Sequence, residues 1–148
     1  MGKKNNALQK GVSGYLYFID ANIFLEIELE DARKEQCKKF FKRIVDDKEK
    51  AIISNFIMYS ILLELAKKTT IKKAKDFLIF LEAAEIEIFT PSIEIILKAL
   101  DKMKEYKLDF DDALVVSCMI SNKIKKLVSF DKHFDKIKEI ERIEPNKI

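Results

Sequence analysis

Short apolar runs recur along the chain, separated by longer stretches with helical periodicity: YLYFID (15–20), AIIS (51–54), IEIF (86–89) and KLVSF (126–130). This alternation constrains the fold more than any other feature. Runs this short and this apolar read as buried strands. Strands separated by helices pair in parallel, because the chain must cross over before the next strand can be added. RIE (142–144) adds a fifth, edge strand. The expected fold class is α/β: a single three-layer α/β/α sandwich with a mostly parallel sheet of about five strands.

The intervening stretches carry their own signals. Residues 31–48 place Cys37, Phe40, Phe41, Ile44 and Val45 at helical spacing. A second helix runs from Asn55, and a third spans 71–84 with Ile71, Ala74, Phe77, Leu78 and Leu81 on one face. Thr90 is the expected cap of the next helix, with Pro91 at its first position and a buried stripe of Ile93, Ile96, Leu97, Leu100 and Met103. Another helix opens near Asp109, and DKHFDKI (131–137) forms a short turn or helix. Residues 1–14 have no periodicity and read as a flexible tail, leaving 15–148 as one domain. That tail holds Lys3, Lys4 and Lys10 and no acid, which accounts for the whole net charge of +3. Total charge therefore says little about a nucleic-acid surface. No apolar stretch approaches the ~18 residues needed to span a bilayer. With no signal segment either, a cytoplasmic protein without a membrane partner is expected.

One histidine, His133, and two cysteines, Cys37 and Cys118, exclude several chemistries. A structural zinc site needs four Cys or His ligands. A Ser-His-Asp mechanism has only His133 to draw on, and no GxSxG elbow accompanies it. Both cysteines sit in apolar surroundings and read as packed thiols. If the chain is an enzyme, carboxylates must therefore do most of the work.

In an open parallel sheet, ligands bind beyond the carboxyl ends of the strands. Asp20 ends the first strand and Asp131 follows the fourth. Asp109, Asp111 and Asp112 lie at a helix amino end, and Glu64 interrupts the apolar ILLELA. Each acid also has a plain structural role open to it. Asp20 and Asn22 suit a turn capping a helix from Ile23, and Glu64 suits an ion pair with Lys68 at i, i+4. Asp109 and Asp112 form a cap-like pair, and Asp131 caps the turn after it. Together on one sheet edge, several carboxylates repel unless a cation intervenes. Mg²⁺ or Mn²⁺ suits such a site, and metal-assisted phosphodiester hydrolysis suits such an ion. Asp111 and Asp112 point about 100° apart on a helix, and helical phase alone does not choose between them.

FIDANIFLE (18–26), LDFDDALVVSCMI (108–120), KKLVSFDKHFDKI (125–137) and AIISNFIMYSILLEL (51–65) together resemble the motifs of the PIN-domain family, over about residues 15–145. The resemblance places the family's acids on Asp20, Glu64, Asp112 and Asp131. Asp112 is chosen over Asp111 because the family's acid directly precedes an Ala, here Ala113. Asn22 and Ser129 would orient carboxylates or waters, with Ser129 in place of the common Thr. The resemblance implies a five-stranded parallel sheet, an Mg²⁺- or Mn²⁺-dependent endoribonuclease acting on RNA, and frequent homodimers. Small members of this type resemble VapC toxins, which are neutralised by a small antitoxin protein. Two other classes are weighed against it. One is a phosphatase of the haloacid-dehalogenase type using Asp20, although such enzymes carry a second Asp where this chain has Asn22. The other is a non-catalytic RNA- or protein-binding module with the same fold.

Overall fold

The computed structural model describes residues 14–148. The expected tail over 1–14 lies outside the described residues except for Gly14. The elements run β1 (Tyr17–Ile19), α1 (Ala21–Glu28), α2 (Lys34–Asp47), β2 (Ala51–Ser54), α3 (Asn55–Lys68), α4 (Ile71–Ala83), β3 (Glu87–Phe89), α5 (Ile93–Tyr106), α6 (Phe110–Ser121), β4 (Lys126–Val128) and β5 (Glu141–Ile143). A 3₁₀ turn over Lys132–Lys136 joins β4 to β5, and a second covers Pro145–Lys147.

All pairings are parallel, and the strand order is β3-β2-β1-β4-β5. Phe18 in the central strand lies beside Ile52 of β2 and Leu127 of β4. The three inner strands are buried almost throughout, so they read as continuous apolar runs and not as alternating ones. The outer strands β3 and β5 are partly exposed, as expected of edges. Helices α1 to α4 pack on one another, while α5 packs chiefly on α6. The chain builds outward from β1 through β2 to β3, then returns to β4 on the other side of β1. With right-handed crossovers, that reversal puts the two helix groups on opposite faces of the sheet. The result is the expected α/β/α architecture.

Several boundaries differ from the expectation. The first strand ends at Ile19 and α1 starts at Ala21, two residues before Ile23. Ser92, not Thr90, caps α5: its Oγ accepts from the free N–H of Ile95 at 3.3 Å. Pro91 therefore precedes the helix.

The stripe expected to be buried on α5 is largely outside. Ile93, Leu97 and Leu100 are 74%, 57% and 48% exposed, whereas Ala99 is fully buried. The reason is the direction of the contact: the side of α5 that faces α6 runs through Ala99, with half-buried Ile95, Ile96 and Met103 beside it, so Ile93, Leu97 and Leu100 fall outside it. On α4, Phe77 and Leu81 are buried as expected, while Ile71 and Leu78 are exposed. Val45 of the α2 stripe is exposed as well. Cys37 and Cys118 are free, buried thiols, each pushed up to about 12 chiefly by burial.

Candidate active site

The strand order reverses between β1 and β4, and it is there that such sheets open a crevice. The residues just after these two strands are tied together. Asp20 follows β1 and caps α1, with Oδ1 accepting from Ala21 N at 2.8 Å. Its other oxygen, Oδ2, accepts from Ser129 Oγ at 2.7 Å and from Asn22 Nδ2 at 3.3 Å. Ser129 is buried beyond the end of β4, and its Oγ also accepts from Asp131 N at 2.9 Å. Asn22 completes the link by accepting from Phe130 N at 3.3 Å through Oδ1. Asp20 is thus both a helix cap and a fixed carboxylate: one oxygen serves the helix, the other the crevice.

Asp131 caps the 3₁₀ turn, its Oδ1 accepting from His133 N at 2.9 Å. Asp112 comes from the first turn of α6. Asp109 holds the capping position of that helix but makes no side-chain capping bond, contrary to the expected Asp109–Asp112 pair. Asp111 is exposed and accepts from Asp112 N at 3.0 Å, whereas Asp112 is half-buried.

The electrostatics place these acids within reach of one another. Burial raises the Asp112 carboxyl to about 7, with further upward pushes from the charges of Asp111, Asp131 and Asp20 and a downward pull from His133. Asp20 is raised too, first by burial and then by Asp131 and Asp111; its hydrogen bonds from Ser129 and Ala21 oppose the rise. Glu64 is placed differently. Its Oε1 lies 3.0 Å from Lys68 Nζ, the expected i, i+4 pair, yet it is shielded from solvent and makes no hydrogen bond.

The donor set fits a divalent ion. Asp112, Asp131 and His133 each offer one ligand atom, and all three atoms lie within 4.8 Å of one another. Carboxylate oxygens that raise one another's proton affinity are the donors a hard cation relieves. Asp20 adjoins this group, and Glu64 is not part of it. The group includes His133, which motif reasoning passed over. Its only sequence signal is a position two residues after a turn-forming Asp.

A parallel α/β sheet with acids gathered at its switch point defines a class of protein, and the sequence agrees with it. The PIN domain family model matches residues 17–140, and the chain belongs to that family. No curated protein matches the chain by sequence. Solved structures do match in fold. The toxin VapC20 of Mycobacterium tuberculosis, described as cleaving the sarcin-ricin loop, aligns with a TM-score of 0.69 at 17% identity, covering 84% of this chain and 96% of that one. A VapBC2 complex from Rickettsia felis, bound to promoter DNA, gives 0.69 at 16% identity, covering 87% and 98%. A toxin–antitoxin complex from Klebsiella pneumoniae gives 0.67 at 17%, covering 87% and 97%.

Proposed function

We propose that the protein is an endoribonuclease that hydrolyses RNA phosphodiester bonds with the help of Mg²⁺ or Mn²⁺, and that it acts as the toxin of a toxin–antitoxin pair. The observation that carries this reading is the meeting of Asp20, Asp112 and Asp131, from three separate elements, at the switch point of the sheet. Asp112 and Asp131 would hold the ion, with Asp20 beside them; Glu64, the fourth acid of the family's set, pairs with Lys68. Ser129 and Asn22 fix Asp20 Oδ2, so its carboxylate keeps one orientation without substrate. The Asp112 carboxyl, raised to about 7 chiefly by burial, would be held as its anion by a cation beside it. A divalent ion held there would supply an acidified water and neutralise charge on the phosphate. The phosphatase reading has less support, because the position that would need a second acid holds Asn22, whose amide already bridges Asp20 and Phe130.

Two partners belong to this reading. One is an antitoxin, as the similar solved complexes contain one. A cleft of about 360 Å³ between α1, α2 and α4, lined by Phe24, Ile27, Phe41, Val45 and Phe80, suits an apolar segment of such a protein. The other is a second copy of the chain, as the outward apolar side chains of α3 and α5 need cover. Among the described residues, no helix is long and apolar enough to cross a membrane.

The test is cleavage of a fluorescent RNA by the purified chain. Cleavage with Mn²⁺ or Mg²⁺ that stops in excess EDTA is the expected result. Undiminished cleavage in EDTA contradicts the metal-dependent reading.

A further inference from the structure

His133 is the only histidine in the chain, and the proposed function assigns the ion to carboxylates alone. Its side chain is 73% exposed, so packing does not hold it in place. Nevertheless its ring turns back toward the crevice. The backbone N–H of His133 donates to Asp131 Oδ1 at 2.9 Å, and Nδ1 lies 2.8 Å from the same oxygen. An Asp112 oxygen completes a set of three donor atoms within 4.8 Å.

We propose that His133 is itself a ligand of the divalent ion, so that the site is mixed oxygen and nitrogen and favours a first-row transition ion such as Mn²⁺ over Mg²⁺. This rests on the reading of Asp112 and Asp131 as metal-binding carboxylates. The spacing supports it. Around an octahedral ion with bonds of about 2.1 Å, adjacent ligand atoms lie about 3 Å apart and opposite ones about 4.2 Å apart. The Asp131–His133 separation of 2.8 Å is close to the adjacent value. An imidazole nitrogen is a poor partner for Mg²⁺, which prefers oxygen and retains its waters, and a better one for transition ions.

Mn²⁺ bound to the full-length, untagged chain gives a direct readout by electron spin echo spectroscopy. With a single histidine, coupling to a coordinated imidazole nitrogen has one possible source. That coupling is expected in the wild type and is expected to vanish in His133→Ala. Competition titration should give a preference for Mn²⁺ over Mg²⁺ that falls about 10-fold in His133→Ala, with Mg²⁺ affinity nearly unchanged. A wild-type spectrum without imidazole nitrogen, or a preference unchanged in the variant, overturns this inference and leaves the carboxylate site standing. A wild type that binds neither ion overturns both.

Discussion

Asp111 and Asp112 are chain neighbours in different surroundings, and the difference can be measured. Asp111 is exposed and bonds the first turn of α6; Asp112 is half-buried and feels three other carboxylates. Asp112→Asn should lower RNA cleavage at least ~100-fold at saturating Mn²⁺ or Mg²⁺, the scale of a lost ligand. Asp111→Asn should cost only a few-fold, because its anion in a first helical turn is worth under ~1 kcal/mol. The reverse ranking would move the site by one residue. Helical phase could not choose between the two because Ala113 to Met119 are all buried, so α6 has no wet side from which to read a direction. His133 escaped the sequence for another reason: only the folded turn brings its ring back over Asp131.

The same carboxyl sets a pH dependence. Asp112 has a pKa of about 7 in the fold against an ordinary 3.8, so the folded state holds an extra proton between those values. Its contribution to stability is complete below pH 4 and is lost as pH rises through 7. Metal-free wild type should therefore lose stability relative to Asp112→Asn as pH rises from 5 to 8. Solvent screening of this half-buried carboxyl keeps the gap to on the order of 1 kcal/mol. Urea unfolding in EDTA measures it; a wild type that gains on the variant with rising pH would contradict the burial of this charge.

At the scale of elements, the strands were legible because three of them are buried on both faces and carry no polar interruption. The helix ends were harder to see. Lys48 and Lys107 end α2 and α5 in the left-handed conformation, where Gly is the usual signal. The α5 stripe was legible as apolar but not as exposed, because a sequence cannot say whether its cover comes from the same chain. Ile93, Leu97 and Leu100 on α5, with Phe56, Tyr59 and Leu63 on α3, present apolar surface to solvent. If a second copy covers it, light scattering should give twice the chain mass for the wild type, and Leu97→Glu should shift it to the monomer. A wild type that stays monomeric at ~100 μM, a concentration at which a micromolar dimer would be assembled, would contradict the homodimer.

For the whole molecule, the strand order does most of the positioning. A chain that builds β1, β2 and β3 in one direction and then returns to add β4 leaves the ends of β1 and β4 side by side. Residues far apart in sequence, Asp20 and Ser129, thereby come within 2.7 Å. This juxtaposition follows from topology, which motif spacing implied and only the fold made explicit. The most direct test is Asp20→Asn, an isosteric change that removes one charge and keeps the helix cap. RNA cleavage in Mn²⁺ is predicted to fall at least ~100-fold, with the far-ultraviolet circular dichroism unchanged. Cleavage at the wild-type rate would contradict the account, and loss of the folded spectrum would make Asp20 a structural residue instead.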